Sequence, residues 1–206
     1  MLSFLAGQHW VRRTADFVLQ QYARRRVQAL DQLPAASRQR DTLLALVRKA
    51  QRTRFGRDHD FARIRSVADY QDRVPLRDYE AFWQEYWQPA FPQLAGATWP
   101  GPIPYLALSS GTTSGVTKHL PISAEMLRSN RRAAFTTMAL FLGRHQGTPI
   151  LTGRVFFLGG STKLTRVSRT HRPVLAGDLS GIAAVEFPSI LRAYTYPPLE
   201  LAVGDD

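Results

Sequence analysis

Between residues 106 and 123 the chain reads LALSSGTTSGVTKHLPIS. A short apolar run gives way to a string of small and hydroxylated residues, then to Lys118, and then to Ser123 at the head of a long helical pattern. Tyr105 to Leu108 fits a buried strand, and Ser123 suits the N-cap of a helix from about Ala124 to Leu142 with Gly143 as its stop. GRVFFLGG, which begins at Gly153, reads as the next strand. Strand, glycine-rich loop, helix and strand form a βαβ-type progression. This part of the chain is therefore expected to be α/β, with the loop at the C-terminal end of a strand, where such sheets bind their ligands.

The chain before it has another texture. Residues 8 to 31 carry helical periodicity, and a second helix opens near Ser37 with Leu43, Leu46, Val47 and Ala50 on one face. Gly56 is expected to stop a helix. Ser66 and Asp69 have the spacing of a capping box for a short helix that must end before Pro75, and Asp78 is placed to cap another. QLAGATWPGPIP is a glycine- and proline-rich connector. The organisation read from this is a mainly helical stretch over 1–90, a connector over 91–104 and an α/β part carrying the loop over 105–206, with no internal repeat.

Glycine, serine and threonine leave backbone N–H groups and hydroxyls uncommitted, and a lysine at the end of the loop adds a full charge; the inventory suits an anion, above all a polyphosphate. It is not a Walker A loop, because Gly111 and Gly115 are separated by three residues and Lys118 is not preceded by glycine. The spacing is not that of a dinucleotide fingerprint either.

Composition removes several alternatives. Zero cysteines exclude disulfides, thiolate metal sites and a cysteine nucleophile. His9, His59, His119, His145 and His171 show no metal-ligand spacing, so no metal site is assigned within this chain. The net charge of +11 is almost all arginine and is diffuse. Even the densest run, Arg24 to Arg26, points three ways around a helix, so no specific nucleic-acid partner is expected. No targeting signal and no stretch of roughly 18 apolar residues appears, so a cytoplasmic protein without a membrane span is expected. Val11, Ala15, Val18 and Tyr22 share a helical face that is expected to pack on the protein itself.

SSGTTSGVTK resembles the first signature of the adenylate-forming enzymes. In the form Ser109-Ser110-Gly111-Thr112-Thr113-Ser114 it is most similar to that of the acyl acid amido synthetases named after the plant auxin-responsive Gretchen Hagen family. RTRFGRDHDFARIRSVADYQDRVPLRDYEAFWQEYW before it, and FFLGGSTKLT and YTYPPLELA after it, also resemble segments of that family.

The resemblance implies a helical N-terminal region followed by the start of the βαβ-type sheet of an adenylate-forming large domain. It implies an ATP-dependent ligase that adenylates a carboxylic acid and passes the acyl group to an amine, typically an amino acid, forming an amide. A thioester-forming ligase and a non-catalytic remnant are the alternatives. By analogy Ser109, Ser110, Gly111, Thr112, Thr113 and Ser114 would wrap the phosphates, with Lys118 adding charge. ATP and Mg2+ are the implied cofactors, the metal-holding acid being expected outside this chain. The helix after the loop, with Met126, Phe135, Met138 and Phe141, is either ordinary core or a wall of the acyl pocket. A C-terminal half of the same protein is the implied partner, and the 206 residues alone are not expected to complete acyl transfer.

Overall fold

The computed structural model describes residues 9–109, 117–153, 155–156, 161–168, 171–186 and 195–196. It opens with two long helices, α1 (His9–Asp31) and α2 (Ala35–Ala50), followed by α3 (Arg54–Asp58), a 3-10 turn (Phe61–Arg63) and α4 (Val67–Arg73). Then comes α5 (Tyr79–Phe82), which widens into a π turn (Trp83–Trp87) and ends in a 3-10 turn (Gln88–Ala90).

Three of the helix starts read from sequence carry their side-chain caps, whereas Ser37 lies inside α2, whose N-cap is Pro34 without a side-chain bond. Ser66 Oγ accepts from the Asp69 N–H while Asp69 accepts from the Ser66 N–H, a reciprocal box that satisfies two of the orphan donors of a helix start. Asp78 accepts from the Ala81 N–H at 2.8 Å and Ser123 from the Met126 N–H at 3.1 Å. Thr53 caps α3 by accepting from the Gly56 N–H at 3.0 Å. Two further donors of that first turn, the N–H groups of Arg54 and Phe55, reach the carbonyls of Gly96 and Ala97 at 2.8 and 3.0 Å, which docks the connector onto α3.

Two glycines act differently from expectation. Gly56 does not stop a helix; it lies inside α3, where a Cβ would meet the Ala50 carbonyl oxygen at 2.2 Å. Gly143 also lies within its helix, α6 (Ala124–Arg144), where a Cβ would come within 3.0 Å of Val27 Cγ2. At both places the missing side chain lets two segments approach closely. The expected apolar face of α2 is also narrower than its spacing suggested, since Val47 and Ala50 are buried but Leu46 is 48% exposed.

After the connector the chain enters a four-stranded mixed sheet of order β2-β1-β5-β4, built from β1 (Tyr105–Ser109), β2 (Lys118–Ile122), β4 (Thr165–Arg166) and β5 (Leu175–Gly177). β1 and β5 are parallel, with α6 in the chain between them. The strand after α6, β3 (Val155–Phe156), pairs instead with β6 (Thr195–Tyr196) in a separate two-stranded sheet. A short helix, α7 (Leu179–Val185), follows β5.

Leu94, Ile103, Leu106, Val174 and Ala176 form the core on one side of the sheet, and Ala107, Ile122 and Ile182 form it on the other. The alternation of Leu106 and Ala107 along β1 supplies both. A third cluster, Val47, Ala50, Phe55, Phe61, Ile64 and Tyr86, joins the end of α2 to the short helices and turns after it. The fourth, Ala23, Ala139 and Leu142, joins α1 to α6. Along that seam Arg26 donates to Thr136 Oγ1 at 3.2 Å and Arg24 to Gln146 at 3.4 Å, so two of the three clustered arginines are engaged within the protein. Of the α1 face expected to pack inward, Val18 and Tyr22 are instead exposed, because Asp16, Ala23 and Val27 meet the rest of the fold.

Tyr105 ties β1 to the end of α7 by donating its hydroxyl to Glu186 at 2.7 Å. Burial, then the bond to Glu186 and its charge, push the phenol up to about 12. The folded state favours the protonated phenol, so this contribution is whole below the ordinary value of 10 and fades as pH rises through about 12. Chemical denaturation at pH 9 and 11.5 is expected to show Tyr105→Phe costing about 1 kcal/mol at the lower pH and less at the higher.

Candidate functional site at the β1–β2 hairpin

β1 and β2 form an antiparallel hairpin in which Ser109 faces Lys118, Leu108 faces His119 and Tyr105 faces Ile122. The loop is therefore carried between two strands, not between a strand and a helix: a strand of five residues intervenes before α6. Pro121 inside it is tolerated because β2 is an edge strand, where one side of the backbone needs no ladder partner. Ser109 and Lys118, at the hairpin mouth, are half-buried. Ser110, Gly111, Thr112, Thr113 and Ser114 lie outside the described residues.

Lys118 is held from one side by the start of α5. Its ammonium pairs with Glu80 Oε1 at 2.7 Å and lies 4.8 Å from the centre of the Tyr79 ring. The Lys118 side chain is 28% exposed, so it remains reachable by a ligand. The hydrogen bond from Lys118 holds the Glu80 carboxyl below its usual range, with a further contribution from the backbone N–H of Glu80 itself.

The next residue is fixed from the same side. The His119 N–H donates to the Tyr79 hydroxyl at 2.8 Å, covering part of the open edge of β2. The imidazole stacks on Trp83 at 5.8 Å and meets the edge of Phe91 at 5.6 Å. His119 thus belongs to an aromatic shelf continued by Tyr79, Trp83 and Trp87. His59, by contrast, is buried: Nδ1 donates to the Phe55 carbonyl at 2.8 Å, leaving Nε2 toward Arg77.

Tyr79 and Glu80 are functional candidates that the sequence did not expose. Nothing in YEAFWQEYW distinguishes a glutamate aimed at a lysine nearly forty positions away from any exposed helical glutamate. On α6, Met126 and Phe141 are 42% and 48% exposed, whereas Met138 packs beside Ala139 and Leu142. Among the described residues no group of three histidines and acids could hold a metal ion, and no helix is long and apolar enough to cross a membrane.

The described residues thus form a helical region leading into a mixed sheet whose first hairpin holds Ser109 opposite Lys118 at its mouth. The GH3 family N-terminal domain matches residues 28–203, and the chain belongs to that family. Among solved structures the chain is similar to an "AtGH3.15 acyl acid amido synthetase in complex with 2,4-DB", with a TM-score of 0.61 and 19% sequence identity. The match covers 81% of this chain and 28% of that one, so the chain spans little more than a quarter of that structure's length. No curated protein matches.

Proposed function

We propose that this chain supplies the phosphate-binding part of an ATP-dependent ligase that joins a carboxylic acid to an amine, typically an amino acid, through an acyl-adenylate. A carboxylate oxygen attacks the α-phosphorus of ATP, the bond to the bridging oxygen breaks, and pyrophosphate leaves with its electrons. The amine then attacks the acyl carbon, loses a proton and expels AMP.

Family membership and the fold likeness support this reading, and one observation carries it to residues: Lys118 stands opposite Ser109 at the mouth of the hairpin that bears the SSGTTS loop. A cation there offsets charge building on the departing pyrophosphate. Hydroxyl and N–H donors of Ser109, Ser110, Gly111, Thr112, Thr113 and Ser114 would take the remaining phosphate oxygens. ATP supplies the leaving group and the activated phosphorus. Mg2+ would be held by acids other than a cluster among the described residues.

The test is acid-dependent ATP–pyrophosphate exchange by the gene product with a panel of aromatic and aliphatic carboxylic acids, followed by product analysis with amino acids and with coenzyme A. Exchange with at least one acid and amide formation are expected. No exchange with any acid, together with no ATP binding, would overturn the reading; thioester in place of amide would reassign the acceptor.

A further inference from the structure

We propose that Tyr79 and Glu80 are positioning residues that hold the Lys118 ammonium at the hairpin mouth, ready for the phosphate groups of a nucleotide. The identity of the ligand rests on the ligase reading above; the placing of the lysine stands on the geometry alone.

Three contacts from two adjacent residues converge on two adjacent residues of β2. Glu80 Oε1 takes the Lys118 ammonium at 2.7 Å, the Tyr79 ring lies 4.8 Å from it, and the Tyr79 hydroxyl accepts from the next backbone N–H, that of His119, at 2.8 Å. The cap at Asp78 sets the first turn of α5 and with it the direction of both side chains. The stack of Trp83 on His119 adds a second anchor one turn later.

An unanchored lysine samples many rotamers, and a ligand would have to order it. Here the side chain is already ordered. A lysine ammonium has three donors, so one committed to Glu80 leaves others for a phosphate. Glu80 is itself 54% exposed along its side chain, which lets a ligand approach without stripping a buried ion pair. An ordinary surface pair would not also pin the neighbouring backbone through the same helix turn.

The chain has three lysines, Lys49, Lys118 and Lys163, so labelling with an amine-reactive reagent followed by peptide mass spectrometry reads each separately. In Glu80→Gln, Lys118 is expected to label roughly two- to fivefold faster than in the unmodified protein, the range set by a partly exposed pair. Lys49 and Lys163 should keep their rates. Tyr79→Leu should act likewise, while Tyr79→Phe, which preserves the ring, should act less and guards against loss of folding. In the unmodified protein MgATP or inorganic pyrophosphate should protect Lys118. In the exchange assay Glu80→Gln should raise the KM for ATP roughly two- to fivefold with kcat nearly unchanged, the mark of lost ground-state positioning.

Unchanged Lys118 labelling in both Glu80→Gln and Tyr79→Leu would overturn the proposal. So would faster labelling with an unaltered KM for ATP, which would make the pair a surface ion pair without a role in binding. If the protein neither exchanges nor is protected by MgATP or pyrophosphate, yet the variants unmask Lys118, the ligase reading fails while the placing of the lysine holds.

Discussion

Gly56→Ala is expected to destabilise the fold by about 3 kcal/mol, lowering the melting temperature by roughly 6–12 °C for a chain of this size. Two effects oppose each other. Alanine is the better helix former by about 1 kcal/mol, which would favour the substitution in an open helix. Yet the added Cβ would meet the Ala50 carbonyl oxygen at 2.2 Å and the Ala50 carbonyl carbon and Gln51 Cα at 3.0 Å, all backbone atoms. Backbone cannot rotate aside as a side-chain tip can. The end of α2 and the turn into α3 would have to separate, loosening Val47, Ala50 and Phe55 from one cluster. Thermal melts of the two proteins decide the matter, and a melting temperature equal to or above that of the parent would show that the turn can open without loss.

Lys118→Ala is expected to reduce ATP–pyrophosphate exchange by about 10²–10³-fold, the usual effect of removing one charged or donor group from a site of developing negative charge. Folding should change little, because the ion pair between Lys118 and Glu80 is partly exposed to solvent. Lys118→Arg should recover part of the activity, since a planar guanidinium restores the charge but not the compact ammonium geometry. The measurement is exchange at saturating acid over a range of ATP concentrations. Full activity in Lys118→Ala would remove this residue from the mechanism.

What is legible in the sequence is local. Ser66 with Asp69, Asp78 and Ser123 each cap a helix three residues away, and such bonds depend on little beyond the immediate chain. Features that depend on distant partners are easily misread. A glycine near a helix end has the same letter whether it terminates the helix or admits another segment, and Gly56 and Gly143 admit Ala50 and Val27. KHLPI, for which no strand is read from the sequence, carries a proline that a central strand would not tolerate; its place at the sheet edge allows the strand. The family resemblance indicates Ser109 and Lys118 as site residues, and the structure brings those two into register across the hairpin. Glu80 and Tyr79 are invisible in the sequence because attraction between an exposed acid and a lysine has no sequence period.

The seam between α1 and α6 imposes an order of events on the growing chain. Arg26 and Thr136 stand 110 positions apart, and Ala23 waits for Ala139 and Leu142. At a synthesis rate of about 5–20 residues per second, α1 leaves the ribosome on the order of ten seconds before its seat exists. During that interval Leu19 and Ala23 have no partner surface from α6, and Trp10 and Phe17, exposed even in the finished fold, stand beside them. α1 is thus made well before the helix it docks on, and a nascent-chain chaperone would find its apolar residues open throughout that interval.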